Sequence, residues 1–165
     1  PPRRARGLHA RTPARKRRAN SEPLAPIRDR AFEIELVETR LTAELGPAAD
    51  RPVLDRDVLE VLVTVFQDLR TGTTASGAPV KRPETVMSTA EAVNVAIAAS
   101  LEARYLGDGT VTAGQVARQV GGVALKGDEE DARRLRHYVD NVVRERARSD
   151  ARWKDFLTAA GDLWR

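Results

Sequence analysis

Cysteine is missing from all 165 residues, so neither a disulfide framework nor a thiolate metal site is available, and the composition suits a reducing cytoplasm. Histidine is nearly missing as well. His9 and His137 stand far apart, and no second histidine or carboxylate at metal-ligand spacing stands out beside either, so no metal site is expected. The longest apolar run, Ala92 to Ala99, is interrupted by Asn94 and falls well short of the roughly 20 residues a bilayer demands, so no membrane span is expected. With no cysteine nucleophile and no serine in an elbow motif, covalent catalysis lacks support. No stretch reads G-x-x-x-x-G-K-[ST], the loop whose backbone N–H groups and lysine cradle phosphates. Nor does an apolar strand end in paired acids that could hold magnesium. Phosphoryl-transfer chemistry by this chain alone is therefore not expected.

What is present is unevenly spread. The formal charge of +4 hides a split: residues 1 to 30 hold ten Lys/Arg against Glu22 and Asp29, whereas 18 basic and 22 acidic residues follow. A +8 leading part and a −4 remainder fit nucleic-acid contact, a targeting peptide, or a piece of a larger polypeptide. The opening on Pro1 instead of methionine fits the last of these, or a degraded gene. Residues 1–27 carry five prolines and no apolar period, so the segment is expected to be largely unstructured in isolation.

Residues 28–165 read as one all-α helical bundle of six helices. From Asp29, Phe32, Leu36, Val37, Leu41 and Leu45 recur at helical steps until Gly46 and Pro47. Asp55 and Asp57 open a second helix with Val58, Leu59, Leu62, Val65, Phe66 and Leu69 on one face, closing at Gly72. Residues 71–87, rich in Gly, Pro, Thr and Ser, are expected to form an exposed, adaptable loop. Ser88 and Glu91 have capping-box spacing, and the helix they start, apolar nearly all round from Ala92 to Ala103, is expected at the centre of the bundle. Thr112 and Gln115 repeat that spacing; Gly121 and Gly122 in the helix they open imply close packing on a neighbour. An acidic start at Asp128 to Asp131 precedes Leu135, Tyr138, Val139, Val142 and Val143. A terminal helix from about Asp150 places Trp153, Phe156, Leu157, Ala160 and Trp164 on one side, as core or subunit-contact residues and not base-stacking platforms.

The stretch VFQDLRTGTTASGAPVKRPETVMSTAEAVNV, Val65 to Val95, resembles the helical lid of MoxR-like AAA+ ATPases, particularly the branch associated with von Willebrand A-domain partners. VFQDLRTG and KRPETVMSTAEAV carry most of the resemblance. RGLHARTPARKRRAN, Arg6 to Asn20, is similar to a degraded copy of the stretch that ends the family's core in Lys-Arg-Arg-Phe, with Ala19 in place of the phenylalanine. GDGTVTAGQVA, Gly107 to Ala117, is similar to the start of a later lid helix. The resemblance implies a hexameric, nucleotide-driven machine whose core binds ATP and magnesium while a small helical lid closes over the adenine side. This chain would supply the lid, with residues 1–27 a remnant of the core's end. Partners would be that core, neighbouring ring subunits and a von Willebrand A-domain protein, in chaperone-like remodelling.

By the same resemblance Arg18, with Arg17 beside it, matches an arginine finger that reaches the neighbouring subunit's γ-phosphate. The competing reading is a solvated basic run of Lys16, Arg17 and Arg18. Many AAA+ lids place a sensing arginine at the start of the helix facing ATP, where STAEA offers Ala90 and Glu91 instead. A carboxylate repels phosphate, so Glu91 reads as the capping partner of Ser88, and nucleotide contact falls to the backbone of Ser88, Thr89, Ala90 and Glu91. The alternative is a free-standing helical protein whose basic tail binds nucleic acid by phosphate neutralisation. Against it, the tail lacks interleaved aromatics and the body lacks a helix-turn-helix with a basic second helix.

Overall fold

The computed structural model describes residues 27–85, 87–125 and 129–164. Arg17 and Arg18, with residues 1–26 generally, lie outside that range. Among the described residues the elements are helices: α1 Arg30–Leu45, a 3₁₀ turn Ala48–Asp50, α2 Arg56–Thr71, α3 Thr89–Leu106, α4 Ala113–Leu125 and α5 Glu129–Tyr138. α5 runs without a break through a π-helical stretch, Val139–Val143, into α6 Arg144–Arg146, and α7 Ala151–Asp162 ends the fold. Counting that continuous rod once gives six helices and an all-α bundle. Among the described residues extended pairing is limited to isolated bridges at Val53 with Thr110 and Thr73 with Pro79. None of the described helices is long and apolar enough to cross a membrane.

Local chemistry sets the helix ends. Asp29 caps α1 by accepting the Phe32 N–H at 3.2 Å, and the αL glycine Gly72 closes α2 with its N–H on the Asp68 carbonyl. Thr112 and Gln115 form a complete capping box, the hydroxyl accepting from the Gln115 N–H and the amide oxygen from the Thr112 N–H.

The centre of the bundle is α2, not α3. Every residue from Val61 to Leu69 is buried, as is Leu59, and α1, α3, α4 and α7 all pack around this helix. Val61 and Val63 fill the side that the expected apolar face left open, so α2 buries its whole circumference. α3 buries only the stripe Ala92, Val95, Ala96, Ala99, Ser100 and Ala103, leaving Asn94, Leu101, Tyr105 and Leu106 in solvent. Small side chains had made it look central; their role is to let α1 and α4 approach closely.

α4 and α7 are the most intimate pair, and the glycines explain part of that. A Cβ at Gly121 would lie 2.3 Å from Leu163 Cδ1, so close packing is real there, whereas Gly122 meets nothing and is exposed. Trp153 and Phe156 are buried with ring centroids 5.9 Å apart, as expected of core residues. Trp164 lies beyond α7 in a turn, partly buried against the core, because α7 stops at Asp162.

The described part of the 72–88 connection is not the exposed, adaptable loop its composition implies but is tied down at several points. Val80 N–H returns to the Gly72 carbonyl, Thr74 N–H to the Ala78 carbonyl, and Val80 and Met87 enter the core. Its second half is held by Asp131 of α5, whose carboxylate accepts from the Glu84 and Thr85 N–H groups at 2.7 Å each and from the Thr85 hydroxyl at 2.6 Å. Burial would raise this carboxyl, but those donors, with Arg134 at 3.3 Å, outweigh it and hold the group below its ordinary value. A depressed folded value contributes stability that is present above the unfolded carboxylate range and lost as pH falls through the folded one. Asp131→Ala should therefore lower the melting temperature at pH 7 and flatten its fall below the ordinary carboxylate range, about pH 4. An unchanged acid slope in thermal melts would overturn this.

Candidate functional site

The two stretches that carry the family resemblance meet where the C-terminal half of α2 faces the first turn of α3. Gln67 and Asp68 sit between Phe66 and Leu69, Arg70 follows directly, and each ends in a buried or nearly buried polar partner. Glu33, from the first turn of α1, is fully buried and accepts three hydrogen bonds: from Arg70 Nη2 at 2.7 Å, Gln67 Nε2 at 2.8 Å and the Thr89 hydroxyl at 2.7 Å. Arg70 also donates to the carbonyls of Ile27 and Met87, both at 3.2 Å, so one guanidinium ties the start of α1 to the start of α3. Two charges out of water are tolerated only when paired and hydrogen-bonded in this way.

About 100° around α2, Asp68 points the other way. Its carboxylate accepts from the Tyr138 hydroxyl at 2.9 Å and pairs with Arg146 at 2.8 Å, and the Arg146 guanidinium lies 4.7 Å from the centre of the Trp153 ring. Burial, then the Asp68 charge, pushes the Tyr138 phenol well above its ordinary value, with Arg146 opposing. QDLR therefore joins α2 to four other segments: α1 and α3 through Gln67 and Arg70, α5 and α6 through Asp68.

The expected nucleotide-contact residues Ser88, Thr89, Ala90 and Glu91 do not converge on one cavity. Ser88 caps α3, its hydroxyl accepting the Glu91 N–H at 3.1 Å, as the spacing implied. The Thr89 hydroxyl is committed to Glu33, and Ala90 is exposed. Glu91 turns to a groove of about 340 Å³ between α3 and α4, with Asn94, Gln119 and Gly122. Among the described residues no group of His, Asp and Glu side chains could hold a metal ion.

Beside the Glu33–Arg70 pair lies a cleft of about 490 Å³ whose lining includes Arg28, Arg30, Arg70 and Arg82, together with Thr71, Thr73 and Thr74. Gly72 forms part of its wall in effect: φ is +75°, and a Cβ there would lie 2.8 Å from Cγ and Cδ of Arg82, whose stem crosses the glycine. Gly72→Ala should cost about 1–2 kcal/mol through the left-handed backbone, and should displace Arg82 as well. Denaturant unfolding measures the first; a loss below about 0.5 kcal/mol, no more than a neutral surface change, would contradict it.

Glu33, Gln67, Asp68, Arg70 and Asp131 were not legible as site residues. A weak signal existed for two of them, since Gln67 and Asp68 follow the apolar run Val61, Leu62, Val63, Val65 and Phe66 directly and precede Leu69, a place a buried helix gives to polar groups only for a partner.

A family model for the YehL-like AAA+ ATPase C-terminal domain matches residues 31–162. The Escherichia coli (strain K12) protein YehL is 35% identical over 159 residues, an alignment that covers 94% of this chain and 42% of that protein. The chain thus spans less than half the length of the curated relative it matches. No solved structure matches significantly.

Proposed function

The chain belongs to the YehL-like AAA+ ATPase C-terminal domain family, and from that premise we propose that it serves as the helical lid of a MoxR-like ATPase. ATP and magnesium are held by a core domain, and the lid closes over the bound nucleotide. The backbone of the turn Ser88, Thr89, Ala90 and Glu91 meets the nucleotide, while Arg18, with Arg17 beside it, reaches the γ-phosphate held by a neighbouring subunit of the ring. Closure in turn drives chaperone-like remodelling together with a von Willebrand A-domain partner.

One observation carries this reading: a single buried guanidinium, Arg70, joins the start of α1 to the start of α3 through Glu33, Thr89 and the carbonyls of Ile27 and Met87. A domain that has to move as one piece over a nucleotide needs its entering segment and its nucleotide-facing turn coupled rigidly. A hydrogen-bonded buried pair fixes direction as well as distance, which apolar burial, being non-directional, does not. On this reading the chain takes part in ATP hydrolysis only within the full-length protein.

The test uses the full-length protein that carries this domain. Deleting residues 31–162 should abolish ATP turnover, and Arg18→Ala should lower it roughly a thousandfold. Undiminished turnover without the domain would end the lid reading; an Arg18→Ala protein as fast as wild type would end the finger assignment alone.

A further inference from the structure

We propose that the arginine cleft beside Gly72 is a binding site for a phosphate-class oxyanion, a short polyphosphate chain carrying about three negative charges. This goes beyond the lid reading and holds for the chain on its own.

The cleft's charge is what singles it out. Its lining has four arginines and one carboxylate, Asp68. Asp68 is already consumed by Arg146 and Tyr138, and Arg70 by Glu33. Arg28 and Arg82 have no carboxylate within ion-pair distance among the described residues, and Arg30 has only the Gln67 amide oxygen, at 3.5 Å. Three cations are thereby left facing one concavity without counter-charge. The neighbouring cleft, slightly larger at about 530 Å³, shows the contrast: of its lining arginines, Arg152 is paired with Asp57, Glu60 and Asp150 and Arg146 with Asp68, which leaves Arg30, shared by the two clefts, as its one cation without a carboxylate among the described residues. Size alone would choose that one; charge chooses the arginine cleft.

Exposed arginines are ordinarily just solvated, but two features set these apart. The stem of Arg82 is laid across Gly72, where no side chain stands in its way, so its head sets out from the wall of the cleft. Arg70, lining the same cleft, uses both terminal nitrogens and leaves its Nε–H buried without a partner. A guanidinium fixed beneath a rim of cations adds positive potential to the cleft without needing to touch the ligand. Planar guanidinium forks bind phosphate oxygens two at a time, and three forks offer more donors than a single carboxylate has oxygens to receive. At about 490 Å³ the space is that of a small-molecule site, not of a polypeptide groove.

The experiment follows backbone amides of the complete chain by NMR during titration with sodium tripolyphosphate, magnesium-free ATP, inorganic phosphate and sulfate at matched ionic strength. Saturable shifts are expected at Arg28, Arg30, Thr71, Thr73 and Arg82 with tripolyphosphate. ATP giving the same Kd identifies the phosphate chain as the recognised element; ATP binding more tightly identifies a nucleotide. Arg28→Gln with Arg82→Gln should weaken binding about tenfold or more while leaving the melting temperature unchanged, since neither side chain has an internal partner to lose. The proposal is overturned by shifts confined to residues 1–26, by a response no stronger than that to sulfate, or by an unaltered Kd in the double variant. ATP turnover plays no part in these measurements, so failure here leaves the lid reading standing, and the reverse.

Discussion

Replacing Glu33 with alanine should destabilise the domain by about 3–5 kcal/mol, the usual consequence of leaving one partner of a buried ion pair alone. At roughly 3 °C per kcal/mol for a domain of this size, the melting temperature should fall by about 10 °C or more. The size follows from what is stranded. Arg70 is only 11% exposed and loses its one carboxylate partner among the described residues, while Gln67 and Thr89 each lose a buried acceptor. Glu33→Met combined with Arg70→Met removes both charges and should cost clearly less than the alanine variant, because well-packed apolar replacements escape the desolvation penalty. If the double variant were the worse folder, the pair would be a net source of stability, contrary to its burial. The same double variant separates stability from coupling: it keeps a folded lid while cutting the tie between α1 and α3. Full-length protein carrying it should bind nucleotide and turn it over poorly if that tie transmits closure.

The helices were legible because their determinants are local. Asp29 before α1, the Thr112 and Gln115 box and the αL glycine after α2 satisfy free backbone groups within four residues, so the pattern carries its own explanation. Depth was not legible. Periodicity reports which residues share a face, not how many helices crowd round them, so the alanine-rich α3 was expected at the centre that α2 occupies. Nor was the loop's fixity readable, since Thr85 finds Asp131 46 positions on, and no spacing rule joins them. The site divides the same way. The role of Ser88 as a cap follows from its neighbour three residues on. That Thr89 would be spent on Glu33 follows only from the packing of α1 against α3. Arg17 and Arg18 lie outside the described residues, and their roles rest on the resemblance.

Asp68→Ala should be nearly as damaging, by about 2–4 kcal/mol, with Tyr138→Phe costing less, about 1–2 kcal/mol. The ordering is the informative part. Without Asp68, both Arg146 and a fully buried phenol lose their shared acceptor; without the phenol oxygen, Arg146 keeps its carboxylate at 2.8 Å. Equal losses would mean that the hydroxyl, not the ion pair, anchors α5 and α6 to α2. The π-helical stretch Val139–Val143 makes this three-way contact possible. Residues eight apart in an α-helix differ by about 80° around the axis, which would take Arg146 away from the face that Tyr138 presents. One extra residue in the π turn, marked by the Arg144 N–H reaching back to the Val139 carbonyl, makes eight positions behave like seven, about 20° apart. Both side chains then reach Asp68. Deleting the exposed Asn141 should thus be tolerated, since seven residues of plain α-helix keep the alignment, whereas inserting an alanine after Asn141 should turn Arg146 off by about 100° and match Asp68→Ala in denaturant unfolding. An insertion as mild as the deletion would show that Arg146 finds Asp68 by side-chain reach, whatever the helix register.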